Sequence, residues 1–480
     1  MQQLWMGGRW QSARDGGTTT VVNPADLTEL AEIQVAGVGD MERAIGMARS
    51  TFDDGVWRNQ PPEKRAAVLR GAADHIEARI PELARLLTSE LGCPIWFSEK
   101  AHVPNPVRHL RYYADLIENT PLEEARTDGV NRSLVVDEPV GVVGAITPWN
   151  GPLSSPTIKV APALAAGCSV VVKPATLTPM TIMALGEAFA EAGLPEGVLS
   201  ILPADREAGN LLIRHPEVDK IGFTGSTEVG KMIARTAADR VGRVTLELGG
   251  KSAAIVLRGA DVDAMVTALL PMAFSVNGQL CISQSRVLVP RDMEDDVRDA
   301  LAAAIAALKV GDPLDPATFI GPLVSQQQRD TVLGYLDVAR AEGADVAVGG
   351  GAAPAAGPGW YVEPTLLAGV TNAMRVAQEE IFGPVMSLIT YDDVEDAVKI
   401  ANDSPYGLSG SVWGPDPEVA LGVARQVRTG MVSINGAPQS WGTPFGGFKQ
   451  SGIGREMGPE GLQSYLEKKS IALPAGTVVA

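Results

Sequence analysis

Between Gly39 and Asn119 apolar positions recur every three or four residues: Ile45, Ala48, Phe52 and Val56, then Leu69, Ala72, Ile76, Ile80 and Leu83. That period places them on one face of a helix, so the segment reads as a run of amphipathic helices. Pro81 falls inside the second series and is expected to bend or split it. After Asn131 the extended run SLVVDEPVG breaks the pattern, and short apolar strands then alternate with helical segments. The order is GVVGAIT, a helix SPTIKVAPALAAG closed by Gly167, then SVVVKP, GVLSIL, DKIGFTG and RVTLELGG. Thr178-Pro179 has the form of an N-cap and first-turn proline for a helix ending at Gly193. Apolar strands between helices indicate a parallel sheet covered on both faces. The alternation resumes after Gly250 with SAAIVL, a helix, SRVLVP, a long helix to Leu308 and strands to about Ile434, which makes a second α/β unit. The tail KSIALPAGTVV reads as extended and outside both units, and Val348 to Gly359 as a surface loop.

A chain of 480 residues exceeds one hydrophobic core, so two or three domains are expected. The net charge of −17 argues against a phosphate backbone as partner. Three cysteines (Cys93, Cys168, Cys281) imply no disulfide framework, and four scattered histidines imply no metal site. The longest apolar run free of charge in the middle of the chain, Val160 to Val172, contains a proline and is too short to span a bilayer. The start MQQLWMGGRW lacks the pattern of a signal peptide. A soluble, cytoplasmic protein without nucleic-acid or membrane partners is expected.

Four stretches carry candidate chemistry. In FSVNGQLCIS, Cys281 is either a small buried apolar residue or a nucleophile. In GFTGSTEVGKM, Gly225 permits a turn and Ser226 can cap a helix whose free N–H groups attract phosphate. The same residues also fit a plain capped turn. The stretch matches G-x-x-x-x-G-K, but Met232 stands where a P-loop needs a hydroxyl for Mg²⁺, which weakens an ATPase reading. In VTLELGGK, Glu247 ends an apolar strand and is either a general base with a raised pKa or a turn residue paired with Lys251. In TPWNGP, Asn150 is either a fixed amide donor for an oxyanion or an Asn satisfying its own turn.

Together these motifs resemble the aldehyde dehydrogenase superfamily. Asn150, Glu247 and Cys281 occur in the family's order, and Glu247 stands 34 residues before Cys281, as in that family. VVKPA, EEIFGPV, NDSPYGLSG, PFGGFKQSGIGRE and the closing GLQSYLEKK extend the likeness over nearly the whole chain. The resemblance implies an α/β fold with three parts. A Rossmann-like NAD(P)-binding domain would take residues 1–120 and 140–249, a second α/β catalytic domain 250–450, and a small β oligomerisation element 121–139 and 465–480. A homodimer or homotetramer follows from the last.

The resemblance also implies roles. Cys281 would attack the aldehyde carbon, with Asn150 and the Cys281 N–H holding the oxyanion. Glu247 would activate the hydrolytic water, and Lys159 and Glu456 would relay its protons. Thr147, Pro148, Trp149, Lys173, Gly225, Ser226, Gly249, Glu380 and Phe382 would line the dinucleotide cleft. Strictly NAD-using members carry a Glu three residues after the ribose lysine. Here that residue is Thr176, so NADP is expected to be accepted, alongside NAD. The substrate tunnel would be lined by Gly151, Ser155, Ile158, Ser275, Leu280, Ile282, Gln439, Trp441 and Phe445. Small-aldehyde members place large aromatics just after the Asn and near the Cys; Gly151, Ser155, Ile158, Ser275, Leu280, Ile282 and Gln439 stand there instead, with Trp441 as a wall and no cation, which favours a bulky or medium-chain apolar aldehyde over a semialdehyde. Glu247 speaks against the coenzyme-A-acylating branch. A cysteine hydrolase would need a histidine partner, and none stands in a Cys281 motif. A binding protein that kept the fold would not need Asn150, Glu247 and Cys281 together.

Overall fold

A computed structural model describes residues 1–474 and 477 of the chain. The periodic segment near the start forms the helices Val38–Asp53, Pro62–Ala78, Ile80–Leu91 and Pro104–Asn119. Pro81 does split the long series, because the break falls at Arg79 and the proline takes an early position of the next helix, where its missing N–H costs no hydrogen bond.

The first sheet runs Gly452–Ile453, Arg243–Glu247, Lys220–Thr224, Val142–Ile146, Ser169–Lys173, Leu199–Ile201, Leu4–Met6, Arg9–Gln11. The strands from Arg243–Glu247 to Leu199–Ile201 are parallel, and antiparallel strands close both edges. Their side chains explain the uninterrupted apolar reading. Val170 and Val172 pack into one core while Val171 between them packs into the core on the opposite face. The second sheet runs Asp345–Val348, Thr365–Ala368, Val385–Tyr391, Arg286–Pro290, Ala253–Val256, Gly410–Trp413, Ser433–Ile434, parallel except for the Asp345–Val348 edge. Ala253 and Ile255 again face one core, and Ala254 and Val256 the other.

A smaller antiparallel sheet joins Leu466–Leu473, Arg132–Pro139 and Glu123–Thr127, and its Glu123–Thr127 edge is wholly exposed. Of the expected tail, Ala475, Gly476 and residues 478–480 lie outside the described residues. Among the described residues no helix is long and apolar enough to cross a membrane, and no group of His, Cys, Asp and Glu could hold a metal ion.

One local expectation fails. The helix after Thr178-Pro179 starts only at Met183, and the Thr178 hydroxyl donates to the carbonyl of Trp149 (2.8 Å) instead of capping. The carboxylate that satisfies these backbone groups is Glu90, on the helix Ile80–Leu91. It accepts from the N–H of Met180 (2.8 Å), the N–H of Thr181 (3.0 Å) and the Thr181 hydroxyl. A buried acceptor from elsewhere in the fold took the role that local sequence assigned to Thr178.

Candidate active site

In the parallel part of the first sheet the chain enters at Val142–Ile146, lays the next two strands to one side, and then crosses to the other with Lys220–Thr224. At such a reversal the loops leaving neighbouring strands diverge and open a crevice. Asn150 follows the first of these strands and Gly225 the second. A cavity of about 260 Å³ lies there, lined by Pro148, Trp149, Asn150, Gly225, Ser226, Glu247, Gly249, Cys281, Glu380 and Phe382. Ten residues singled out from sequence motifs spread over more than 230 positions thus meet in one place.

Cys281 sits in a turn just ahead of the strand Arg286–Pro290, after Val276 and Asn277, which both take left-handed backbone (φ 52° and 59°). Asn277 holds that turn: its amide donates to the carbonyls of Gly92 (2.9 Å) and Pro322 (2.7 Å), and its Oδ1 accepts from the Gly321 N–H (2.7 Å). The cysteine is partly exposed to the cavity, yet burial of its thiol pushes its pKa up to about 12, with the charges of Glu380 and Glu247 adding to the shift. At neutral pH the sulfur is therefore a thiol and needs a base to become a nucleophile.

Glu247 ends the strand Arg243–Glu247 at 2% exposure, and neither carboxylate oxygen is hydrogen-bonded among the described residues. Burial first, and the charge of Glu456 second, raise its pKa well above the carboxylate range, against the pull of Lys159 and Arg455. The alternative pairing with Lys251 is absent, since the Lys251 ammonium is buried without a hydrogen bond among the described residues. Lys159 and Glu456 lie behind Glu247: the Lys159 ammonium donates to Glu456 Oε1 and Thr224 Oγ1, each at 2.6 Å.

A dinucleotide fits the cleft. Ser226 caps the helix Thr227–Ala238 by accepting from the Val229 N–H (3.4 Å). Gly225 and Ser226 line the small cavity, while Glu228 and Val229 line a second cavity of about 1000 Å³. The helix N-terminus, with its unpaired N–H groups, thus stands between the two, where a diphosphate bridging them would lie. Lys173 and Thr176 line the larger cavity, and so does Arg206, which no motif had flagged. Gly209 leaves room for the lysine stem, since a Cβ there would come within 2.9 Å of Lys173 Cε. At the other end Glu380 accepts from the Gly250 N–H (3.0 Å), and a Cβ on Gly249 would come within 2.3 Å of its carboxylate. Phe382 stands edge-on to Trp149, ring centroids 5.3 Å apart at 87°. Phe382 has left-handed backbone (φ 58°), and the Gln328 amide secures that turn by donating to the Phe382 carbonyl (2.9 Å). Gln328 also lines the small cavity; it stands in QQQRD, a stretch with no sequence signal of a site.

Other expected positions are not in this cavity. Thr147 is buried beside it, its N–H donating to the Lys173 carbonyl (3.1 Å). Gly151, Ser155, Ile158, Leu280 and Ile282 lie on the segments that carry Asn150 and Cys281. Gln439 is exposed and bonds its own loop at Val432. Trp441 is 36% exposed, edge-on to His109 (5.1 Å), with the Arg108 guanidinium 5.4 Å from its ring centre. A cation from the helix Pro104–Asn119 thus stands against the ring of Trp441, although no charged residue was expected near it. Phe445 pairs with Glu456 by two backbone hydrogen bonds of 2.6 and 2.8 Å. The would-be P-loop lysine, Lys231, points away to Gln450 (2.8 Å).

Residues 10–471 match the sequence profile of the aldehyde dehydrogenase family, and the chain belongs to that family. It is 45% identical over 473 residues to a geranial dehydrogenase of Castellaniella defragrans, covering 98% of both chains. Among solved structures, a Mycobacterium tuberculosis aldehyde dehydrogenase complexed with NAD+ superposes with a TM-score of 0.97 at 43% identity, covering 100% of this chain and 99% of that one. A Pseudomonas syringae aldehyde dehydrogenase C variant, complexed with NAD+ and octanal, gives 0.95 at 38% identity over 98% and 96% of the two chains.

Proposed function

We propose that this chain oxidises a bulky or medium-chain apolar aldehyde to its carboxylic acid with NAD+ or NADP+, through a thioester on Cys281. The observation that carries this reading is the convergence of Cys281, Glu247 and Asn150 on one cavity beside a cleft shaped for a dinucleotide.

Ionised Glu247 takes the thiol proton, and the Cys281 sulfur adds to the aldehyde carbon. The Asn150 amide and the Cys281 N–H stabilise the oxygen as its charge develops, since donors fixed in place need no reorganisation at the moment of reaction. Lys173 and Ser226 would hold the ribose and diphosphate of the cofactor, Glu380 and Phe382 its nicotinamide end. That cofactor, when bound, supplies the acceptor for the hydride whose loss turns the adduct into a thioester. Lys159 and Glu456 pass that first proton away from Glu247 and restore its carboxylate. Glu247 then removes a proton from water as it adds to the thioester carbonyl, the carbon–sulfur bond breaks, and the departing sulfur takes this proton back to regain its thiol form.

The geranial-oxidising relative and the octanal-bearing neighbour support an apolar substrate. The three-part division and the sheet Leu466–Leu473, Arg132–Pro139, Glu123–Thr127 as an assembly element belong to the same proposal. An exposed strand edge of that kind is a ready template for pairing with another chain. The test is kcat/KM by absorbance at 340 nm for geranial, octanal, benzaldehyde, acetaldehyde and succinic semialdehyde with each cofactor. The larger apolar aldehydes should lead; a lead by succinic semialdehyde overturns the substrate reading.

A further inference from the structure

Behind Glu247, one face of the first sheet carries polar groups that the mechanism above leaves unused. The parallel register sets Lys220 beside Arg243, Gly222 beside Thr245 and Thr224 beside Glu247, so these residues share a face. Lys220 is only 2% exposed; its ammonium donates to Thr245 Oγ1 at 2.6 Å and lies 4.9 Å from the ring centre of Tyr465. A Cβ on Gly222 would lie 3.6 Å from the Tyr465 hydroxyl and 3.5 Å from Lys159 Cδ, so this buried hydroxyl, without a hydrogen-bond partner among the described residues, sits close to both lysines. The file runs from Glu247 through Thr224, Lys159 and Glu456, past Tyr465, to Thr245 and Lys220. It reaches the surface at Arg243, which pairs with Glu467.

Lys159 touches Glu456 directly, while Lys220 has no carboxylate within ion-pair distance among the described residues and feels Glu456 through space. Burial lowers Lys220 to about 8, with Glu456 opposing that shift, so it is protonated through neutral pH. The charged and titratable groups acting on it are Lys159 from the covering helix, Glu456 from the C-terminal segment, Cys168 from the start of the Ser169–Lys173 strand, and Arg243 from its own sheet. Two ammonium groups thus face two buried carboxylates, and the partly exposed Arg455 also acts on Glu247 from the C-terminal segment. Counted over the four fully buried groups, charge cancels only when Glu247 is ionised; with Lys159 as the one buried cation, a buried negative charge would be left to the partly exposed Arg455, which is costly.

We propose that Lys220 is a positioning residue for deacylation: with Lys159 it makes the ionised form of Glu247 the electroneutral state of the buried cluster. This rests on the reading of Cys281 as nucleophile and Glu247 as base, and the test separates the two. Enzyme without cofactor is pulsed with p-nitrophenyl acetate, which transfers its acetyl group to the Cys281 sulfur and releases p-nitrophenol. Decay of the acetyl-enzyme, in which water displaces the thiol, is followed by intact mass across pH. In Lys220→Met the midpoint of the rise with pH should move upward by about half a unit or more, as loss of a nearby cation requires. Lys220→Arg should restore it, and Thr245→Val, which removes only the ammonium's acceptor, should also move it upward. A purely structural role would lower the thermal midpoint and leave the pH midpoint in place. An unchanged midpoint in folded Lys220→Met, or in Thr245→Val where that variant fails to fold, overturns the inference. If wild-type enzyme forms no acetyl adduct, the reading of Cys281 fails and the inference falls with it.

Discussion

The side-chain amide of Asn150 donates a 2.8 Å hydrogen bond to the backbone carbonyl of Gln279, two residues before Cys281. A loop that leaves the first sheet is thereby fastened to the turn that holds the thiol ahead of the second. One amide hydrogen is committed to this bond and the other remains for the cavity.

Replacing Asn150 should therefore do two things at once. Asn150→Ala should lower kcat by about 10²–10³, the usual loss of one oxyanion donor, and leave the Gln279 carbonyl without its partner at about 1–3 kcal/mol of stability. Steady-state kinetics and thermal unfolding read the two effects separately. A loss in kcat below tenfold would sink the assignment.

Glu247→Gln should slow both halves of the reaction, since one carboxylate takes the proton of the thiol and then that of the water. Turnover should fall by about 10²–10⁴, the range of general-base assistance. Intact mass should show slower loading of the Cys281 sulfur as well as slower release of the acid. Because burial raises the Glu247 pKa, wild-type turnover should increase with pH as the carboxyl ionises. The Gln variant should lose that dependence, and a variant that kept it would place the titrating group elsewhere.

Thr176 and Arg206 line one cavity with Lys173, a set suited to a 2′-phosphate. Thr176→Glu and Arg206→Ala should each reduce kcat/KM for NADP+ at least tenfold, about 1.4 kcal/mol, and spare NAD+. A wild-type preference for NAD+ above about 100-fold, roughly 2.7 kcal/mol, would refute NADP+ use.

Glu90 carries a pH signature of stability unconnected with chemistry. Burial raises it to about 7 from 4.5, although three hydrogen bonds from the Met180–Thr181 turn oppose the shift. The native state thus holds a proton that the unfolded chain gives up, so stability falls as pH rises from 4.5 to about 7 and levels off above. Glu90→Gln should gain on the wild type as pH rises: the difference in unfolding temperature, variant minus wild type, should be more positive at about pH 8 than at about pH 5. An equal difference at both would show that Glu90 titrates alike in the two states.

What was legible in the sequence was whatever depends on local period or fixed order. The buried strands showed because both faces of SVVVKP need apolar residues, and the split helix showed because Pro81 lacks the N–H that a continuous helix would use there. Cys281, Glu247 and Asn150 were found through their order and their flanking glycines. The role of Glu90 was not visible, since its partners at Met180 and Thr181 lie 90 positions away and are backbone groups. Gln328 and Arg206 carry no motif; their neighbours come from the packing of helices on the cleft. Lys220 stood in plain view in DKIGFTG, but only the register against Arg243–Glu247 reveals what it faces.

The strand Gly452–Ile453 adds to the edge at Arg243–Glu247, and Glu456 and Tyr465 follow it. A ribosome that has reached Pro444 has already made Cys281, Glu247, Asn150 and the lysines Lys159 and Lys220, but neither Glu456, the carboxylate that Lys159 holds, nor the edge strand that brings it there. The buried polar file is thus closed only by the last stretch of chain to be made. On the proposed mechanism, loss of those few dozen residues would leave every reacting group in place and the proton relay open.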